Sequence, residues 1–529
     1  MQKKGPSLYE LLQKYGKSDY AAFHMPGHKR QVKSSALPKG LPWEIDITEI
    51  DGFDDLHHAE GILRESMENA AAFYGVKKTF YSINGSTAGI LSAVFAAAKP
   101  GDTILMGRNC HKSVYHAVLL RELRPLYLYP QIDKETGLDC GYNTAELEKM
   151  LTKHPEIKAV ILTSPTYEGV ISDIRTLAEL VHQKKIPLIV DEAHGAHLTV
   201  KGQLETNKAR EEQPAVNVKD HPLGDSARED FPRSAVLLGA DLVIQSLHKT
   251  LPSLTQTAVL HVCERAAEAL CEEATRYMSI FQTSSPSYVL LASIDACLRY
   301  MDCAKGRQRR RRYALRLETL RGRLKKLCRI RLLEPGAWDT KTGPAADRGP
   351  QNTWQDPSKL ILAADGCTGK ELYDWLREEY HIQPEMCTCE YVLLMTSLFD
   401  TDEMYERLYR ALKEMDAVLQ NSHRQTHGRQ KWLRPAPANA RLTPSQADRR
   451  PRCKRDLWES EGFVSAEYVY LYPPGIPLLA PGEQIRETEL SYLKKARENG
   501  LELRGLQDAK GEHIQVIQTQ ESESAEGDI

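Results

Sequence analysis

Gln245-Ser246-Leu247-His248-Lys249-Thr250-Leu251-Pro252 decides the reading of this chain, taken together with Val190-Asp191-Glu192-Ala193-His194 upstream. Each stretch follows a short apolar run that reads as a buried parallel strand: Ile186 to Val190 ahead of the aspartate, and Ala240 to Ile244 ahead of the lysine. In an open α/β sheet the carboxyl ends of the strands face the ligand crevice. A carboxylate and a lysine delivered there suit pyridoxal phosphate (PLP). The lysine would hold the cofactor as a Schiff base, and the aspartate would keep the pyridine nitrogen protonated so that the ring accepts electrons. Neither segment decides alone, because many strands end in Asp and most lysines are surface residues. Their order and spacing carry the signal.

Strand and helix alternate around these segments. Ala59 to Tyr74 is helical by its apolar spacing, with Gly75 as a stop. Thr79–Asn84, Thr103–Met106, Ala159–Thr163, Leu188–Asp191, Leu242–Ser246 and Ala258–Val262 read as strands. The alternation predicts βαβ units and a mainly parallel sheet. Where Thr79–Asn84 turns through Gly85-Ser86-Thr87 into a small-residue helix, free backbone N–H groups and two hydroxyls make an anion site. An ordinary helix cap is the plainer reading of that turn taken alone.

Eight segments, in order, carry a family resemblance: Phe23–Lys29 (FHMPGHK), Thr48–Asp55 (TEIDGFDD), Ile83–Ala88 (INGSTA), Asn109–Ser113 (NCHKS), Ser164–Gly169 (SPTYEG), Asp191–His194 (DEAH), Ser246–Thr250 (SLHKT) and Tyr472–Pro477 (YPPGIP). With them the chain resembles the ornithine/lysine/arginine decarboxylases among the fold-type I PLP enzymes, in their shorter bacterial form without an N-terminal wing domain. The resemblance implies a fold-type I large domain with a mainly parallel sheet, followed by a smaller α/β domain and a C-terminal module. It implies decarboxylation of arginine, lysine or ornithine to the amine and CO2, for polyamine synthesis, by a homodimer or higher oligomer.

The resemblance also assigns residues. Lys249 would carry PLP, Asp191 would pair with the ring nitrogen, and His111 would stack on the ring. Ser86, Thr87, Ser246 and His248 would serve the phosphate, joined by Thr283 and Ser284 reaching the neighbouring subunit's phosphate. His194 is an even choice between touching the cofactor and a structural role. Lys249 or His248 would return the proton to Cα. A cationic substrate end calls for carboxylates at the pocket mouth; Asp51 and Glu483 are the candidates, with Glu49, Asp54 and Asp55 beside Asp51.

Two rivals stand beside this reading. One is another fold-type I reaction, transamination or β-elimination, on the same scaffold. The other is a non-catalytic regulatory relative, against which the presence of Lys249, Asp191, His111 and Ser86-Thr87 argues. Metal catalysis has little support: Asp54-Asp55 with His57-His58, and His194 with His197, lack ligand spacing.

Composition bounds the rest. At 529 residues two or three domains are expected. The net charge of −2 argues against a general nucleic-acid binder. No apolar stretch approaches the ~20 residues that span a bilayer, and Met1-Gln-Lys-Lys-Gly-Pro lacks the apolar run of a secretion signal. Eleven scattered cysteines, only Cys387 and Cys389 close together, read as reduced thiols and a cytoplasmic location.

The expected divisions are an N-terminal arm (1–55), a PLP-binding domain (56–300) with an insertion near 201–230, and a small α/β domain (301–420). A basic linker (421–456), a C-terminal module (457–518) and a disordered acidic tail (519–529) follow. The insertion reads as a surface excursion. One long helix is expected from Tyr288 to about Leu327, with the arginines between Arg307 and Arg312 on a solvated face.

Overall fold

The computed structural model describes residues 5–30, 38–133, 136–204, 230–334, 354–421, 437–471 and 475–518. The chain forms two compact units, each gathered from separate stretches: 1–97, 174–315 and 397–399 in the first, and 98–173, 316–396 and 400–529 in the second.

In the first unit four strands lie side by side in the order Lys78–Ser82, Ala258–Val262, Leu242–Ser246, Leu188–Asp191. Leu242–Ser246 and Leu188–Asp191 run parallel, with Asp191 opposite Ile244. Ala258–Val262 is antiparallel to both of its neighbours. Every residue of Leu188–Asp191 and Leu242–Ser246 is buried, which is why their sequences are continuous apolar runs rather than alternating ones. Helices Ile62–Tyr74, Gly85–Ala97, Ile174–Gln183 and Glu268–Ile280 accompany the sheet. Ile174, Leu177, Ala178 and Val181 bury one face of the third of these, at the 3–4 spacing of an amphipathic helix.

The predicted helix from Ala59 starts instead at Ile62. The carboxylate of Asp54 accepts from the backbone N–H groups of Gly61 and Leu63 at 2.8 and 2.9 Å, so the chain before Ile62 bends around that cap. It ends as expected: Gly75 takes the left-handed conformation (φ 75°, ψ 48°) and its N–H donates to Ala71 O.

In the second unit the strands Ile157–Thr163, Thr103–Gly107 and Arg124–Leu128 are parallel neighbours in that order. An antiparallel sheet of Ile330–Leu333, Lys359–Ala364, Val392–Met395 and Met386–Cys387 comes later in the chain. The C-terminal module has its own core, in which Leu457, Val469, Leu479, Leu493 and Val516 are buried.

Three expectations change. The helix from Tyr288 is two helices, Tyr288–Asp302 and Ala304–Leu324, because Cys303 is extended (φ −84°, ψ 162°). Gly306 lies so close to the end of the first helix that a Cβ there would sit 1.9 Å from Tyr300 O. The arginine run of the second helix is only partly a solvated face: Arg312 is exposed, but Arg309 and Arg310 are not. Arg309 donates to Leu398 O and lies over Phe399, while Arg310 is 5% exposed and donates to Thr199 Oγ1, His197 O and Asp230. A run of one charge disfavours an isolated helix; loop carbonyls and carboxylates around Arg309 and Arg310 decide that these two are used internally.

The expected basic linker, described from residue 437 on, holds a helix, Pro444–Asp448, and a strand, Arg452–Asp456, paired with His513–Ile517. Thr443 caps that helix and Pro444 opens it. The strand's residues alternate between exposed and half-buried, so Arg452, Lys454 and Asp456 point outward while Arg455 lies over the Phe463 ring. Of the 201–230 insertion, Lys201–Leu204 forms a short helix; 205–229 and the 519–529 tail lie outside the described residues.

Gly306→Ala should destabilise the first unit by about 2 kcal/mol, because the methyl meets backbone that cannot yield. A melting temperature close to that of the wild type would refute the close approach at the helix break.

Candidate functional site

The parallel pairing of Leu188–Asp191 with Leu242–Ser246 brings the two strands' carboxyl ends together, and the residues just beyond those ends form the site. Asp191 is 2% exposed, and its Oδ1 accepts from the N–H of Ala193 at 3.1 Å. Burial pushes its carboxyl up, and the charge of Lys249 works against that rise. Ser246 begins a single helical turn, Leu247–Thr250, that turns Lys249 back toward the other strand. There Lys249 Nζ lies 3.0 Å from His194 Nε2. Asp191, His194 and Lys249 therefore converge as the sequence places them.

The anion site adjoins this group. Gly85 (φ 72°) makes the turn that a side chain would strain, and its N–H donates to Gln256 O at 2.9 Å. The helix Gly85–Ala97 starts there, close against the strand that leads to Lys249: a Cβ on Gly89 would lie 3.1 Å from Ile244. Ser86 and Ser246 are hydrogen-bonded through their hydroxyls, so two donors from distant parts of the chain meet at one helix N-terminus. Thr87 is exposed on the same turn.

His248 Nδ1 lies 2.9 Å from Thr257 O. A carbonyl can only accept, so Nδ1 carries the hydrogen and Nε2 keeps its lone pair. Burial lowers the pKa of this ring, helped by Lys249, while the Thr257 carbonyl opposes the shift; the imidazole is neutral at neutral pH. Thr283 and Ser284 are exposed, and the Thr283 N–H donates to Asn84 Oδ1 of its own chain.

His111, in the second unit, caps helix Lys112–Leu120: its Nδ1 accepts from the N–H of Ser113 and contacts the Ser113 hydroxyl at 2.8 Å.

The acidic candidates for the pocket mouth separate. Asp51 is exposed. Asp54 is committed to capping, and Asp55 accepts from the N–H of His57 at 2.8 Å. Glu483 is buried rather than exposed: it is 2% exposed and paired with Arg108 at 3.2 Å. A carboxylate with a buried guanidinium at hand pairs rather than facing water. Among the described residues, the grouping with metal-ligand proximity is Asp508, Glu512 and His513, away from the histidines weighed above; Asp508 there accepts from the backbone of its own loop.

Sequence reasoning missed Glu192. Alternation along a strand sends it to the face opposite Asp191. It is 2% exposed and accepts from Ser234 Oγ, Ala235 N–H (2.8 Å) and Gln245 Nε2 (2.6 Å). Burial pushes its carboxyl up to about 7, with those donors holding the rise back. Gln245 continues the network to His261, which contacts Thr79 at 2.9 Å and which burial drives down to about 3. A polar residue at position 245, inside an otherwise apolar strand, was the available sign.

Comparison with known proteins now adds the family. The major-domain profile of the Orn/Lys/Arg decarboxylases matches residues 6–221 and 225–404, and their C-terminal-domain profile matches 420–522. This chain belongs to that family. It is 31% identical over 521 residues to a Bacillus subtilis arginine decarboxylase, covering 97% of this chain and 98% of the relative. A Bacillus anthracis arginine decarboxylase is 30% identical over 518 residues, covering 96% and 97%. Among solved structures, the Francisella novicida lysine decarboxylase superposes with a TM-score of 0.76 at 19% identity, covering 97% of this chain and 81% of that one. That likeness bears on the fold, which is the fold-type I α/β architecture expected from the sequence. Family membership makes the chain a carboxy-lyase acting on a basic amino acid.

The Glu192 network has a measurable signature. Its folded-state pKa lies above the ordinary 4.5, so the stability it permits is present at acid pH. As pH rises from about 4.5 to about 7, the unfolded chain ionises there and the folded one resists, so stability falls by on the order of 3 kcal/mol. Glu192→Gln should abolish that part of the decline. Parallel curves of melting temperature against pH for the two proteins would refute the buried, protonated carboxyl.

Proposed function

We propose that the chain is a PLP-dependent decarboxylase of a basic L-amino acid, with arginine as the first substrate to test. The observation that carries this reading is the convergence of a buried Asp191, His194 and Lys249 beside a helix N-terminus where Ser86 and Ser246 meet. The donor set fits the cofactor. A helix N-terminus with two hydroxyls suits a phosphate, with Thr87, His248 and a partner's Thr283 and Ser284 as further donors; a primary amine suits an aldehyde. A buried carboxylate suits a protonated ring nitrogen, whose positive charge would offset the cost of burying Asp191. His111 is proposed to cover the ring face. When bound, PLP supplies the electron sink that accepts the pair left by departing CO2.

The chain's own groups do the rest. Asp191 holds the cationic nitrogen in a dry environment, where the interaction is strongest. Lys249 would hold the cofactor through its primary amine and release it to the substrate amine. His194, 3.0 Å from Lys249 Nζ, can hold or take a proton at that nitrogen. Because His248 is neutral with its hydrogen committed to Thr257, Lys249 is the better donor of the returning proton at Cα. Arginine is placed first because relatives of that name align over nearly the whole chain; Asp51 remains the acidic candidate for its cationic end.

The same reading includes a homodimer, a cytoplasmic location and supply of an amine for polyamine synthesis. Tyr20, Phe23 and Met25 of the arm are 70%, 96% and 63% exposed, an apolar surface that a second copy would cover. All eleven cysteines are free, which fits a reducing compartment. No helix among the described residues is long and apolar enough to cross a membrane.

Purified protein loaded with PLP and given L-arginine, L-lysine or L-ornithine should release CO2 and one matching amine. Lys249→Ala should lose both the Schiff-base absorbance and CO2 release. Asp191→Asn should keep binding PLP while kcat falls by about a hundredfold or more. Keto acid formation without CO2 would overturn the reaction, and Schiff-base absorbance in Lys249→Ala would overturn the assignment of the lysine.

A further inference from the structure

Four neighbouring strands of the first unit are joined on one face by a single line of side-chain hydrogen bonds. In sheet order its members are Thr79, His261, Gln245 and, one residue past the end of Leu188–Asp191, Glu192. Each is at most 2% exposed. Thr79 pairs with His261, and His261 pairs with Val243, two residues before Gln245. Residues that pair directly, or stand two apart along a strand, share a face of the sheet, so the line runs along one face. Asp191, Ile244 and Ser246 stand on the other, where Gly89 of helix Gly85–Ala97 packs against Ile244.

The hydrogens in this line all point the same way. Glu192 Oε2 accepts from Gln245 Nε2 at 2.6 Å, so the amide oxygen of Gln245 faces His261 and accepts from its Nε2 at 3.4 Å. His261 is neutral, because burial drives it down to about 3; with the hydrogen on Nε2, its Nδ1 accepts from the Thr79 hydroxyl at 2.9 Å. Bonds aligned in this way polarise one another. Glu192, where the line ends, is held at every polar atom. Its N–H donates to Ile244 O and its C=O accepts from the N–H of Gly195, both at 2.9 Å. Its Oε1 accepts from the N–H of Ala235, and its Oε2 accepts from Ser234 Oγ as well as from Gln245.

Each of the four strands ends or begins at the candidate site. Asp191 directly precedes Glu192 and His194 follows it by two, while Ser246 follows Gln245 and opens the turn to Lys249. Thr79 lies on the strand that leads through Gly85 to Ser86, whose hydroxyl meets that of Ser246. The strand of His261 begins two residues after Gln256, whose carbonyl receives the Gly85 N–H. We propose that this line of side chains is a positioning rail for the cofactor site, in which Glu192 sets Asp191 and His194 against Lys249. At Glu192 the chain leaves the strand and turns, and there the side chain carries the tie to the neighbouring strand onward. Glu192 and Gln245 touch neither cofactor nor substrate; they act through the residues beside them. The inference rests on the PLP reading given above, and all the residues it uses belong to one compact unit.

The test uses the full-length protein with Glu192→Ala, which cuts the line at its end, Gln245→Leu, which cuts it and keeps the volume, and the double of these. Gly306→Ala, in the same unit but off the line, serves as a control for lost stability. The readouts are the melting temperature before PLP is added, the PLP dissociation constant from Schiff-base absorbance, the visible circular dichroism of PLP at saturation, and kcat and KM separately. Either cut should weaken the dichroism, raise the dissociation constant about tenfold and lower kcat about tenfold, with KM within about twofold. The double should differ from Glu192→Ala by less than about twofold in each, since both cuts remove one route. Glu192→Gln, whose amide can rejoin the line once Gln245 turns over, should recover most of the loss. Gly306→Ala should lower the melting temperature and leave the PLP readouts within about twofold of wild type. Lowered melting temperatures with dissociation constant, dichroism and kcat unchanged in both cuts, or losses that add in the double, would make the line a structural bond only. Should Glu192→Ala fail to fold, Gln245→Leu compared with Gly306→Ala decides by the same readouts. Wild type that takes up no PLP would overturn the functional reading and this inference with it. PLP uptake that is as tight in the cut proteins as in wild type would overturn this inference alone.

Discussion

Two parallel strands must bring their carboxyl ends to the same edge of the sheet, so that a buried carboxylate and a lysine meet there; much of the first unit can be understood from that constraint. Asp191 cannot be ionised and almost fully buried unless a positive charge is near, and Lys249 is the group that supplies it within the chain. The register that puts Asp191 opposite Ile244 leaves Ser246 to Lys249 to turn back over the strand ends. A slip of one residue would send Asp191 to the opposite face and Glu192 into its place. The backbone bond from Glu192 N–H to Ile244 O, at 2.9 Å, stands where such a slip would begin.

Glu192 explains how that register is held from behind. Its side chain ties the end of one strand to Gln245 of the next and to the segment starting at Ser234. Buried polar networks cost desolvation, and they repay it only when their members are satisfied in one geometry. Three donors on a carboxyl that burial pushes up to about 7 meet that condition, because a proton can relieve the charge that the donors leave uncompensated. The face that does chemistry and the face that fixes register are therefore adjacent residues of one strand.

What could be read from the sequence was whatever depends on local order. The apolar runs before Asp191 and Ser246, the glycine stop after Tyr74 and the turn at Gly85 each encode their structure within a few residues. The convergence of Asp191, His194 and Lys249 was legible for the same reason, since each lies at or just beyond a strand end. Arg309 and Arg310 and the Arg452–Asp456 strand were misread, and the burial of Glu483 went unseen, because their surroundings are set by distant chain. An arginine run looks solvated until Thr199, Leu398 and Asp230 are placed beside it. Glu483 looked like a mouth residue because a family expectation supplied acids there and nothing local announced Arg108, 375 positions earlier.

The polar residues with the most distant partners are also those that join separately encoded pieces. A hydrophobic contact between the C-terminal module and the strand Thr103–Gly107 would tolerate sliding, since apolar attraction has no preferred angle. A guanidinium fork fixed by two carbonyls, a carboxylate and a hydroxyl does not. Directional bonding is the way to carry ångström-level placement from a module with its own core to a segment outside it. Its cost is a charge pair taken out of water, which well-packed apolar residues in the same space would avoid.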